Sequence, residues 1–430
     1  MIKKVNLVVG ISGQDPHLRV LKEMLSHQGV LFEEFSAERT YPCIIQTSSK
    51  RLEGTKDPKT IVADAIMPVD KIIMLLSGKS NISLDEPEIN KYELLLVDAI
   101  KKVFSDQNLP FIRKWFWPGF ADYCCIITHD IDRLNIPPNN FMRETPLLVK
   151  MLTYGIYLYQ SRLQKKSEFD DHIDLILELE KKHGVRSSFY FFPEYAEKER
   201  FSRIIEDMRN DVFEIGLHSN ATSREELIEE INQFREHHLL QISGTRQHLL
   251  NFTVPSTWLH QETLLDYDLS FYSNEKFGYR AGLCFPYRPL NTTSILEIPT
   301  SFMDWTVLNS KMDWKKLQRE LNYIIESVEH YNGCLVVNFH NEYFNKIIYP
   351  HIYKSFIRIL EHIQEKYWVA TAKECADWWK IRESAQIDVQ FKEGNISGKS
   401  SVEIPLVIEY KDHILRLNIK DHFSVECKND

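Results

Sequence analysis

The spacing of apolar residues changes twice along the chain. In the first hundred residues, "KKVNLVVG", "CIIQTSS" and "KIIMLLS" read as strands. Between and after them, "HLRVLKEMLSHQG" and "EINKYELLLVDAIKKVFSD" place apolar residues three and four apart and predict helices. This is the pattern of a small α/β domain. From Asp122 to Trp379 strand and helix alternate regularly. The strands are "YCCIITH", "SSFYFFP", "VFEIGLH", "QISGTRQHL", "ILEIPTSF" and "CLVVNFH"; the helices include "DDHIDLILELEKKHG", ended by Gly184, and "TSREELIEEINQFREHH". Near-continuous apolar strands separated by amphipathic helices imply a parallel sheet covered by helices. The expectation is a (β/α) barrel with its active site at the C-terminal ends of the strands. The tail switches to period two: "IDVQFKE", "VEIPLVIEY" and "HILRLNIK", divided by "GNISGKS" and "KD", predict an antiparallel β module. The expected division is 1–118 for the N-terminal α/β domain, 119–383 for the barrel and 384–430 for the β module.

Composition narrows the classes. The 430 residues exceed one ordinary core, and 43% hydrophobic with 26% charged residues is a globular balance. A net charge of −9, with Lys and Arg dispersed among Asp and Glu, excludes a broad nucleic-acid surface. No apolar run reaches the ~18 residues that cross a bilayer. The start, "MIKKVNLVVGISGQDPH", enters a Gly/Asp/Pro loop instead of a cleavage site and reads as a first strand. Seven cysteines, with Cys124 and Cys125 on opposite faces of one strand, suit reduced thiols and a cytoplasmic protein. Gly10 and Gly13 lack the spacing and the Lys of a phosphate loop, which leaves a plain βα turn. The aromatic stretch "RKWFWPGF" is expected to pack two domains together.

Polar residues gather where the barrel strands end. In "CCIITHDIDRL" an apolar strand terminates in Asp130 and Asp132; His218 follows "VFEIGL", Arg246 and His248 lie in "GTRQHLL", and His340 and Glu342 follow "CLVVNF". They come from different strands yet belong to one rim. Strand alternation turns His129 away from that rim.

Taken in order over residues 120–345, "THDID", "EIGLHSN", "GTRQHL", "YDLSFYSNEKFGYRAGLCFPY" and "VVNFHNE" resemble the polysaccharide deacetylase (NodB-homology, carbohydrate esterase family 4) superfamily. With "LPFIRKWFWPG" ahead of them, they resemble the subgroup that carries an extra N-terminal domain and a C-terminal β tail. The resemblance implies a (β/α) barrel of the polysaccharide deacetylase type holding one divalent metal, zinc by preference, on an Asp and two His. It makes Asp132 a metal ligand beside His218, Asp130 the general base and His340 the general acid. Arg246 matches the arginine that pins the base, and Asp268 in "DYDLSF" the aspartate that orients His340.

One departure stands out. The family's second motif runs His, Ser or Thr, two residues, then His; here Asn220, Ala221 and Thr222 follow His218-Ser219 and the second histidine is gone. Thr222, three before Glu225, reads as a helix capping box instead. Either the metal is lost or another strand supplies the imidazole. His248 lies at the end of the next strand, two past Arg246, where the family pattern places proline. Adjacent strands are about 4.8 Å apart, within reach of a shared ion. A packed or substrate-contacting histidine is the alternative at that position, and Glu342 is an alternative ligand. Arg280 in "GYRAG" either clamps an anionic substrate group or fixes its loop.

The resemblance thus implies a hydrolase that removes an N-acetyl or similar N-acyl group from an amino sugar of a glycan or glycan precursor, in surface-polysaccharide synthesis. A metal-independent amidase acting on a non-sugar amide is one alternative, and a catalytically silent glycan-binding barrel another. Retention of Asp130, Asp132 and His340 together argues against silence.

Overall fold

The computed structural model describes residues 5–47, 59–80, 84–134, 151–152, 155, 171–210, 213–252, 256–346, 348–363 and 366–426. Residues 3–4, 48–49, 170, 212 and 427–430, at the margins of predicted elements, lie outside these.

The N-terminal strand expected as one piece serves two sheets. Its first part, β1 (Val5–Asn6), pairs antiparallel with a C-terminal strand; its second, β2 (Val9–Ser12), joins the parallel sheet β3-β2-β4-β5 with β3 (Phe32–Glu34), β4 (Ile44–Gln46) and β5 (Thr60–Val62). The run "KIIMLLS", expected as a strand, is helical within Val69–Leu76. Val69, Ile72, Leu75 and Leu76 are its buried residues, a helical spacing that a short apolar run disguises. The helices His17–His27 and Glu88–Ser105 form as expected.

Strand β6 (Phe111–Lys114) leads into the aromatic stretch. Phe116 and Trp117 stack on Phe285 at 5.4 and 6.2 Å, and Trp117 lies 5.5 Å from Trp379. The buried Arg382 guanidinium donates to the carbonyls of Ser26, His27 and Trp115 at 2.6, 2.9 and 2.8 Å. The two bonds to Ser26 and His27 help satisfy the open end of helix His17–His27 and tie it to the helix Ala372–Ser384, while the third holds the stretch after β6.

The central sheet is parallel and curled. Its strands are β7 (Tyr123–Ile131), β8 (Ser188–Phe191), β9 (Glu214–Ser219), β10 (Gly244–Gln247), β11 (Tyr267–Asp268), β12 (Leu296–Glu297), β13 (Phe302–Met303) and β14 (Cys334–His340), in the order β12-β11-β10-β9-β8-β7-β14-β13. A further strand, β15 (Tyr367–Ala370), pairs with the start of β7. The expected strand "ILEIPTSF" is split between the two edges. The Ile298 amide bonds the Asp268 carbonyl of β11 at 2.9 Å, and the Ser301 amide bonds the Val336 carbonyl of β14 at 2.9 Å. One short segment thus reaches both edges of the sheet.

Two glycines make room inside it. A Cβ on Gly216 would meet the Tyr190 ring at 2.4 Å, and one on Gly244 the Tyr267 ring at 2.0 Å. The two tyrosine hydroxyls meet at 2.9 Å, and Tyr267 also donates to Glu214 at 2.5 Å. Two large rings with satisfied hydroxyls therefore fill the floor beneath the strand ends.

The C-terminal strands do not form a sheet by themselves. β16 (Ile387–Lys392), β17 (Asn395–Tyr410) and β18 (His413–Glu426) run antiparallel, but β16 also pairs with β1 and β17 with β6, Leu406 facing Lys114. This five-stranded sheet joins both ends of the chain.

Candidate active site

Register sets the site's neighbours. β14 pairs with β7 so that His340 lies beside Asp130, and β10 pairs with β9 so that Arg246 lies beside His218. Alternation sends Thr128 and Asp130 to the inner face. His129 faces outward, as expected, where its Nε2 lies 2.9 Å from Glu180 on the helix Ile173–Lys182.

Asp130 is held on both oxygens. Arg246 donates to one at 3.0 Å and Asn338 Nδ2 to the other at 2.9 Å. Burial pushes this carboxyl up, yet Arg246, His218 and His340 together hold it below its ordinary range. Arg246 spends three more donors on the Thr128 hydroxyl (2.8 Å), the Leu269 carbonyl (3.2 Å) and the Thr300 hydroxyl (3.1 Å), over the Tyr190 ring. Four of its five N–H donors are thus engaged, which holds it against Asp130.

His340 stands 3.7 Å from Asp130 and has a different partner from the one expected. Its Nδ1 lies 2.6 Å from one oxygen of Asp304, whose other oxygen accepts the His340 backbone N–H at 2.6 Å. Burial lowers the imidazole's pKa, but Asp304, Asp132 and Asp130 outweigh it and raise it to about 10. Asp268 does not reach His340. It is fully buried, where one oxygen accepts from the Ser270 amide at 2.8 Å and from the Ser270 hydroxyl while the other has no partner. Burial raises its pKa to about 6. Asp304 and Asn338 were missed from sequence. Asp304 follows β13, whose end was hidden by the split strand, and Asn338 is the inward residue two before His340.

Asp132, His218 and His248 bring one carboxylate oxygen and two imidazole nitrogens within 4.8 Å of one another. Asp132 Oδ1 and His218 Nε2 are both buried and face each other at the ion-pair distance of 3.2 Å, with no other hydrogen-bond partner. Two atoms bound tetrahedrally to one zinc, each at about 2.0–2.1 Å, are separated by about 3.3 Å, so the spacing of this pair fits a shared ion. His218 Nδ1 lies 3.0 Å from the Arg246 carbonyl and His248 Nδ1 3.0 Å from Asn220 Oδ1. Both acceptors leave the Nε2 lone pairs for a metal. Burial and the neighbouring His218 hold His248 below its usual range, which favours the neutral form a ligand needs. Phe192 walls both rings, at 4.7 and 4.9 Å.

Other expected residues fall outside this group. The carboxylate of Glu342 is 3.2 Å from Arg133. Arg280 lies over the Phe271 ring and bonds the Tyr272 carbonyl, so it fixes its loop. The helix Arg224–His238 is capped by Ser223 with Glu226, one residue later than expected; Thr222 binds the same glutamate through its amide and hydroxyl. An aromatic wall adjoins His340: the Tyr343 ring lies 5.6 Å away, and the partly exposed Trp305 ring 6.0 Å beyond it.

No family model and no curated protein matches the chain. Among solved structures it is similar to a protein assigned as a polysaccharide deacetylase from Mycobacterium smegmatis, at 15% identity and TM-score 0.43 over 63% of this chain and 94% of that one. It is similar to the Puue allantoinase at 15% identity and TM-score 0.41, over 61% and 92%. A carbohydrate esterase family 4 pseudoenzyme from Bacillus anthracis matches at 11% identity and TM-score 0.30, over 59% and 65%. Among the described residues, no helix is long and apolar enough to cross a membrane.

Proposed function

We propose that the protein is a metal-dependent amide hydrolase that removes an N-acetyl or similar N-acyl group from an amino sugar of a glycan or glycan precursor. The observation that carries this reading is the buried cluster in which Asp132 Oδ1 and His218 Nε2 lie 3.2 Å apart with no partner but each other and His248 completes the ligand set, beside an acid and a base with separate supports. A bound divalent ion, zinc by preference, supplies Lewis-acid polarisation of the amide carbonyl and acidifies a water. Asp130, fixed by Arg246 and Asn338, accepts the proton of the attacking water. His340, kept protonated by Asp304, delivers a proton to the departing amine. Opposed environments for acid and base are what such a reaction requires. The Trp305–Tyr343 wall offers an aromatic face for a sugar ring. Six described cysteines are buried free thiols, which supports a cytoplasmic enzyme acting on a precursor in surface-polysaccharide synthesis.

The test is acetate release from N-acetylated sugars, sugar nucleotides and lipid-linked oligosaccharides, by wild type and Asp130→Asn, with and without chelator. Release that needs Asp130, stops on chelation and returns with zinc or cobalt supports the proposal. Release that survives chelation overturns it in favour of a metal-free amidase. A folded, zinc-loaded protein inert on every substrate points to a silent glycan-binding barrel.

A further inference from the structure

The second motif has lost its histidine, yet the stretch that replaced it still reaches the ligand cluster. We infer that Asn220 is the positioning residue that makes His248 a ligand; the inference rests on the metal-dependent reading above. Asn220 follows β9 directly, two residues past His218. Its side-chain oxygen lies 3.0 Å from His248 Nδ1. A carbonyl oxygen only accepts, so Nδ1 carries the proton and Nε2, on the other side of the ring, keeps its lone pair for the ion shared with Asp132 and His218. His218 receives the same service from the Arg246 carbonyl. For His248 a side chain does it.

The support is itself anchored. Glu230, on the helix Arg224–His238, accepts the Asn220 backbone N–H at 3.0 Å on one oxygen and the Ser219 hydroxyl at 2.5 Å on the other. The Ser219 hydroxyl in turn accepts the Ala221 amide at 3.1 Å. Asn220 is thus held at its backbone, leaving its amide oxygen aimed across to β10. On the other side, Phe192 meets the His248 ring edge to face at 4.9 Å and 88°. Directly after His248 the chain turns through two left-handed residues, Leu249 at φ 55° and Leu250 at φ 51°. Non-glycine residues enter that region at a cost, and such strain persists where surrounding contacts over-determine a position. One ligand thus stands just past β10, and the group that orients it just past β9.

The experiment uses the full-length protein stripped of metal. It is titrated with cobalt(II) and with zinc(II) against a chromophoric chelator, and the visible spectrum of the cobalt form reports coordination. Asn220→Ala is expected to weaken binding about 10–100-fold, the range for loss of an outer-shell partner, and to shift the cobalt spectrum toward that of His248→Ala. Asn220→Asp, whose carboxylate can also only accept, is expected to restore affinity and spectrum. The double variant Asn220→Ala/His248→Ala is expected to bind no more weakly than His248→Ala alone, because both changes remove one interaction. Equal metal-free melting temperatures for Asn220→Ala and wild type exclude misfolding as the cause.

Wild-type affinity and spectrum in Asn220→Ala, or losses that add in the double variant, overturn the inference and leave the metal reading standing. So does His218→Ala losing metal while His248→Ala keeps it. A wild-type protein that binds neither cobalt nor zinc overturns both.

Discussion

His340 Nδ1 lies 2.6 Å from one oxygen of Asp304, and the other oxygen accepts the backbone N–H of the same histidine. This double hold fixes both the ring and the strand end that carries it. Asp304→Asn is therefore expected to lower kcat by roughly 10²–10⁴, the usual weight of a positioned acid or base. The sign of the pH effect follows from the proton. In the proposed mechanism His340 acts while protonated, so activity is expected to fall as pH rises through its pKa of about 10. Without the Asp304 charge that pKa drops, and the alkaline limb of the rate profile is expected to move to lower pH. An unchanged limb in Asp304→Asn would remove His340 from the acid role.

Arg246 is fully buried and is a closer cation to Asp130, at 3.0 Å, than His340 at 3.7 Å. Arg246→Leu leaves a buried carboxylate without its partner, a change that typically costs about 3–5 kcal/mol. Denaturant unfolding should show that loss, and Asp130→Asn/Arg246→Leu should recover part of it. A stability loss under about 1 kcal/mol would mean that the cradle tolerates an uncompensated charge.

Trp305 presents a partly exposed ring 6.0 Å from that of Tyr343, which lies 5.6 Å from the His340 ring. Trp305→Ala is expected to raise KM about threefold to tenfold, the worth of one aromatic contact, with kcat within a few-fold. A fall in kcat at constant KM would place the ring in the chemistry instead of in binding.

Asp268 is buried, has one unpartnered oxygen and has its pKa raised to about 6, first by burial. A raised carboxyl favours the fold while protonated. Its stabilisation is complete below the unfolded value of about 3.9 and is lost as pH rises through about 6. Asp268→Asn, which keeps an oxygen for the Ser270 amide, is therefore expected to stabilise the protein above pH 6, on the order of 2 kcal/mol, and to do little at pH 4. Equal effects at both pH values would show that Asp268 is ionised throughout.

The curled parallel sheet was legible because its strands combine an apolar run with a polar end, and Asp130, Asp132, His218, Arg246, His248 and His340 all sit at or just past such ends. Asp268 and Asp304 were exchanged for a physical reason. Asp268 ends a recognisable strand, β11, whereas Asp304 follows a two-residue strand cut from a longer apolar run. What a strand end presents depends on which neighbour it pairs with, and "ILEIPTSF" pairs with two. "KIIMLLS" fits strand and helix equally over seven residues. Strand sharing between β1, β6 and the tail left no mark either, since period two marks a strand and is blind to its partner.

The sheet that joins both ends of the chain also imposes an order on synthesis. β1 is synthesised long before its partner β16, which arrives only with residues 387–392; β6 likewise waits for β17. Until then two strand edges stay open, the condition in which a nascent chain pairs with the wrong neighbour. Trimming the tail would make that condition permanent. A deletion beginning at Ile387 would thus act on residues 5–6 and 111–114, far from the cut in sequence, and its first symptom would be aggregation.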